Sequence, residues 1–183
     1  MLLPVYVYGN PILRKTAEEI NLKDPSLPQL IKDMFETMYH AHGVGLAAPQ
    51  IGKAIRIFVI DSEPFKEMYP EVQIKKSAFI NPTIDEEFGN DFLFSEGCLS
   101  LPEIHEEVLR KSSIKITYWD ENGLKHQSEI FSGIVARIIQ HEYDHLEGKV
   151  FTDRVSPLKK MILKRKLVDI ASGKVKPDYK IKN

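Results

Sequence analysis

Residues 141–145 read His-Glu-Tyr-Asp-His, directly after a stretch in which Ile134, Ile138 and Ile139 recur with helical spacing. On an α-helix, positions i and i+4 lie one above the other, so both imidazoles project from one face. The preceding isoleucines turn that face toward the interior, where an imidazole without a partner is costly. Two such rings four residues apart, with a glutamate between them, match the way a helix grips one divalent ion and sets a carboxylate beside a water. A fold for this chain must bury this helix and bring a further ligand to it.

A tetrahedral catalytic ion commonly takes three protein ligands and keeps one position open. Downstream, Glu147 sits close by on the same helix and Asp153 just past its end, and both are weak candidates. Upstream, Glu96-Gly97-Cys98-Leu99-Ser100 carries the single thiol of the chain. Gly97 permits unusual backbone angles and close approach. A thiolate is also a good ligand for zinc or ferrous iron. Glu96 is expected to pair with Arg110 and keep this loop rigid. A third segment, GVGLAAPQ over residues 43–50, leaves backbone groups open on small residues and ends on the amide donor Gln50.

The remaining chain supplies the frame. Ser26 and Gln29 read as a capping box for a helix in which Leu30, Ile31, Met34, Phe35 and Met38 recur, with Gly43 as its stop. Ile55–Ile60 and Ser77–Ile80 are β-rich apolar runs, the second halted by Asn81-Pro82. Residues 62–76 read as a surface excursion. Residues 113–119 and 124–131 form a hairpin about the turn Asp120-Glu121-Asn122-Gly123. The metal-binding helix runs from about Ser132 to Leu146, and Ser156-Pro157 opens a C-terminal helix over about 157–172. Strands and helices without regular alternation predict an α+β fold. Antiparallel or mixed sheets would surround the central helix, with one helix N-terminal and one C-terminal to it, in a single domain spanning residues 1–183.

A net charge of -1 excludes whole-protein attraction to nucleic acid or anionic membrane. No apolar run reaches the length needed to cross a bilayer. The opening MLLPVYVYGNPIL lacks a basic leader, and Cys98 has no internal disulfide partner, so a reducing, cytoplasmic setting is expected.

GVGLAAPQ, EGCLS and QHEYDHLEG, in that order, resemble the motifs of peptide deformylases, and the likeness runs to about Phe151. The resemblance implies an enzyme that removes the formyl group from N-formyl-methionyl nascent peptides. It implies one divalent ion, physiologically Fe(II), with Zn(II), Ni(II) or Co(II) able to replace it. Cys98, His141 and His145 would be the ligands and Glu142 the general base, later the acid. Gln50 and the Leu99 N–H would stabilise the oxyanion, and Val44, Gly45 and Gly97 would bond an extended substrate through their backbones. Phe94, Ile134 and Ile138 are the expected apolar wall for the methionine side chain. The Arg137 stem would cover that pocket with its head in solvent. Ile104-His105-Glu106 stands where some members carry an arginine that touches substrate, so that role is not carried over. In relatives with a helical C-terminus this helix docks on the ribosome; here it holds Lys159, Lys160, Lys164, Arg165 and Lys166. The other enzyme class with this helix is a metallopeptidase that cuts internal amide bonds, which has no need of the cysteine motif.

Overall fold

In the computed structural model, which covers residues 1–183, a two-residue strand β1 (Val5–Tyr6) leads to helix α1 (Leu27–His40). Helix α1 buries Leu27, Ile31, Met34 and Met38 at helical intervals. Its start departs from the expected capping box. The Ser26 hydroxyl donates to Asp24, and Gln29 Nε2 donates to Asp33 Oδ1 at 2.8 Å. Asp24 offers a nearer, charged acceptor, so the serine turns away from the helix.

Five strands then make one antiparallel sheet in chain order: β2 (Gly45–Ala47), β3 (Ile57–Asp61), β4 (Lys76–Cys98), β5 (Leu101–Trp119) and β6 (Lys125–Ser132). Strand β4 continues well past Asn81-Pro82, where a stop was expected. Asn81 adopts φ 48° and the ladder slips between Ile80 and Thr83. Proline cannot donate to a ladder, and asparagine tolerates the left-handed region, so the pair makes a bulge instead of an end. The β5–β6 hairpin forms as expected. Asp120 Oδ1 accepts the Asn122 and Leu124 N–H groups, which closes the turn.

Helix α2 (Gly133–Leu146) packs on β2, β3, β5 and β6. Alternation along β3 serves two cores at once. Phe58 and Ile60 join Phe79, Tyr118, Phe131 and the isoleucines of α2. Ile57 and Val59 face the other way, onto Met34 and Met38 of α1. Helix α3 (Pro157–Ala171) is capped by the Ser156 hydroxyl, which accepts from the Lys159 N–H. It buries Leu163, Leu167 and Ile170 against Leu101, Ile104 and Val108 of β5. The chain closes with β7 (Ile181–Lys182), parallel to β1. No helix is long and apolar enough to cross a membrane.

Candidate active site

All of α2 except Gly133 and Tyr143 is buried, so its histidines sit apart from bulk solvent. His141 directs Nδ1 at Glu96 Oε2, 2.8 Å away, which leaves Nε2 facing the thiol side. His145 Nε2 lies 3.3 Å from Cys98 Sγ. The ligand atoms of Cys98, His141 and His145 all fall within 4.8 Å of one another. Cys98 ends β4, and Leu99-Ser100 form the turn into β5. At this point the partner of β4 jumps from His105, opposite Gly97, to Leu101, opposite Cys98. That bulge ends regular pairing and re-aims the last residue of the strand toward α2.

The donor set fits a divalent ion. Burial, with the charge on His141 adding to it, pushes His145 down to about 3, so its ring is the neutral form that ligates. For His141, burial acts downward, yet Cys98 and Glu96 raise its pKa well above the ordinary value. The groups around it therefore attract positive charge to the space between sulfur and ring, as a cation requires. The Glu96 carboxylate on Nδ1 fixes the His141 tautomer, a common support for a ligating imidazole.

Glu142 is buried, and burial lifts its carboxyl to about 7. Its Oε2 has no hydrogen-bond partner within the protein. A proton acceptor poised near neutral pH is suited to general base work. Gly45 is required beside it, because a Cβ at position 45 would stand 2.7 Å from Glu142 Cδ. Gly97 is also a matter of space and not of backbone angle: a Cβ there would lie 2.6 Å from His105 Nε2. Gln50, in the turn Ala48–Ile51 after β2, accepts from the Ala47 N–H at 2.8 Å. That bond sends its Nε2 to Ser100 Oγ at 3.1 Å and to within 3.4 Å of Cys98 Sγ.

The family model for polypeptide deformylase matches residues 2–161. The chain belongs to the peptide deformylase family. A peptide deformylase of Christiangramia forsetii is 50% identical, over all of this chain and 96% of its own. A crystal structure of a Legionella pneumophila peptide deformylase gives a TM-score of 0.81 at 37% identity, covering 97% of this chain and 100% of that one. A Synechococcus elongatus peptide deformylase, solved in complex with actinonin, gives 0.78 at 36% identity, covering 96% and 92%. The chain is thus a metal-dependent hydrolase that removes the N-terminal formyl group from peptides.

The deformylase cleft has a volume of about 590 Å³. Cys98, His141 and Glu142 line it, with Gln50 and Leu99. Val44, Gly45 and Gly97 also line it, and so do Phe94 and Ile138. Ile134 does not: one turn further from the histidines, it is 8% exposed and packs in the core with Val135 and Phe131. Arg137 reaches the cleft, but its head is not in solvent. Nη1 donates to Glu96 Oε1 and to the Val108 carbonyl, and Nη2 donates to the Phe92 carbonyl.

Arg137 joins a buried network of which the sequence marked only the Glu96–Arg110 pair. Arg110 donates to Glu96 through Nε at 2.7 Å and Nη2 at 3.0 Å, so the expected pair exists. Arg110 Nη1 also donates to Asp144 at 2.7 Å, and Arg154 donates to both Asp144 oxygens. Burial opposes ionisation of both acids. Even so, His141 and Arg110 hold Glu96 well below the usual carboxylate range, and Arg154 and Arg110 do the same for Asp144. An aspartate inside a buried helical motif was the one signal in the sequence for this second pair.

Proposed function

We propose that Glu142 carries protons in the deformylation, beside a divalent ion held by Cys98, His141 and His145. When bound, the ion supplies Lewis acidity that makes a water molecule nucleophilic near neutral pH. Glu142 Oε2 takes the water proton. Gln50 Nε2 and the Leu99 N–H donate to the formyl oxygen as charge builds there; one such donor is worth about 3 kcal/mol. Glu142 then hands its proton to the departing amine, leaving formate and a free N-terminus. Val44, Gly45 and Gly97 offer backbone groups to an extended substrate. Phe94, Ile138 and the Arg137 stem wall the methionine side chain.

The observation that supports this reading is the meeting of the lone thiol with both imidazoles beside a carboxylate oxygen that has no protein partner. The cysteine ligand and the family membership favour it over a peptidase acting on internal amides. Fe(II) is our assignment for the physiological ion, since a thiolate with two imidazoles suits ferrous iron as well as zinc. Protein purified without oxygen should contain iron by elemental analysis, hydrolyse formyl-Met-Ala-Ser, and lose that activity rapidly in air. Full activity retained in air with zinc alone would count against iron.

We place this chemistry in the cytoplasm, where the thiol stays reduced, and read residues 1–183 as one catalytic domain. We also propose that α3 meets the ribosome as nascent chains emerge. Lys160, Lys164, Arg165 and Lys166 are exposed with no carboxylate in ion-pair range, whereas Lys159 is engaged by Glu106 at 2.7 Å. Deleting α3 would strip Leu163, Leu167 and Ile170 from the core, so charge reversal is the cleaner test. Changing these four cations to glutamate should abolish co-sedimentation with ribosomes at low salt and leave the formyl-peptide assay intact. Undiminished co-sedimentation would remove the proposal.

A further inference from the structure

Residues 172–183 lie beyond α3 and outside residues 2–161, which the family model matches, yet four of them reach the cleft. Lys176, Pro177, Asp178 and Tyr179 share it with Cys98 and Glu142. The segment is tied on both sides. Before it, the Lys174 N–H donates to the Asp169 carbonyl at 2.9 Å, and Val175 packs on the cluster of α3 and β5. After it, the Val5 N–H donates to the Lys180 carbonyl at 2.9 Å and the Val7 N–H to the Lys182 carbonyl at 3.0 Å. Between these anchors, the Tyr179 hydroxyl donates to the Leu99 carbonyl at 2.8 Å. Asp178 also comes within 3.6 Å of His42, another residue of the cleft.

Such a segment is a built wall. Leu99 is the residue it grips, and the same residue offers its N–H to the reacting group. The methionine side chain is accounted for by Phe94 and Ile138, which lie on β4 and α2. The tail is left to meet the substrate residues after methionine. Two of its side chains there, Lys176 and Asp178, are exposed and of opposite charge.

We propose that residues 176–179 form the part of the cleft that recognises the peptide beyond formyl-methionine, with Tyr179 as the positioning residue that docks this wall on the cysteine turn. The proposal rests on the deformylase activity and specifies its substrate: peptides long enough to reach the tail, with the charge of the second and third residues read by Lys176 and Asp178. A single hydrogen bond to a neutral carbonyl is worth a several-fold change in affinity.

The test compares the metal-loaded enzyme with Tyr179→Phe and with Lys176→Glu. For Tyr179→Phe, the ratio of kcat/KM for formyl-Met-Ala-Ser to that for formyl-Met amide should fall about fivefold, through KM and not kcat. For Lys176→Glu, the preference between formyl-Met-Ala-Asp and formyl-Met-Ala-Lys should move about fivefold toward the lysine peptide, and less so in high salt. Movement of either ratio in the stated direction upholds the proposal. Both ratios staying within about twofold of the unaltered enzyme, or moving only the other way, overturn it. Should Tyr179→Phe fail to fold, the exposed Lys176 decides alone. If the unaltered enzyme deformylates neither peptide, it is the activity itself, and not the wall, that has failed.

Discussion

Glu142→Gln should lower kcat/KM for formyl-Met-Ala-Ser by about a thousandfold while the protein still binds one equivalent of metal. Glutamine keeps the shape of the side chain but neither accepts nor returns a proton. The ligands are untouched, since Cys98, His141 and His145 converge without help from position 142. The same substitution has an opposite effect on the fold. Burial lifts the Glu142 carboxyl to about 7, above the value of about 4.3 in an unfolded chain. Ionising it in the folded protein therefore costs stability, increasingly from about pH 4 up to about 7 and constantly beyond. In chelator-treated protein at about pH 8, Glu142→Gln should melt higher than the parent. Elemental analysis, steady-state kinetics and thermal melts check the three parts. Near-normal turnover in Glu142→Gln would end the assignment of Glu142 as proton carrier.

Arg110→Ala should destabilise the protein by about 4 kcal/mol, read from urea unfolding curves. The side chain is 1% exposed and bridges Glu96 on β4 to Asp144 on α2. Its removal leaves two buried carboxylates short of a cation, the circumstance in which breaking a buried pair is most damaging. The sign of the pH dependence is set by the same two acids. Glu96 and Asp144 are held below their usual values. The stability they contribute is present above about pH 4 and is lost as pH falls through their folded values. Without Arg110 those folded values rise, so acid unfolding should begin at a higher pH than in the parent. Metal affinity should fall as well, because Glu96 also orients His141. An Arg110→Ala protein as stable as the parent would show that Arg137 and Arg154 suffice for this network.

The metal helix was legible because its chemistry is written in one short helical period, and the cysteine motif because it holds the lone thiol. The sheet was harder. Between Ile84 and Ser95, β4 is rich in exposed polar residues, and its ladder with β5 is held in part by surface pairs such as Glu86–Lys115 and Asp91–Lys111. Over Asp85–Asp91 only Phe88 is a large apolar residue, so no apolar alternation marks the strand there. Arg137 misled for a related reason. Arginine usually sends its head to water, and only the folded chain shows Glu96 and two carbonyls waiting for it inside. The cleft residues 176–179 left no local signal at all. Their role depends on β7 finding β1, a pairing between segments about as far apart in sequence as this chain allows.

Glu96 meets the ring of His141 while Cys98 meets the ring of His145. Both contacts are made by one strand end and one face of α2, so shifting either element by a single residue would part Glu96 from His141 and Cys98 from His145 at once.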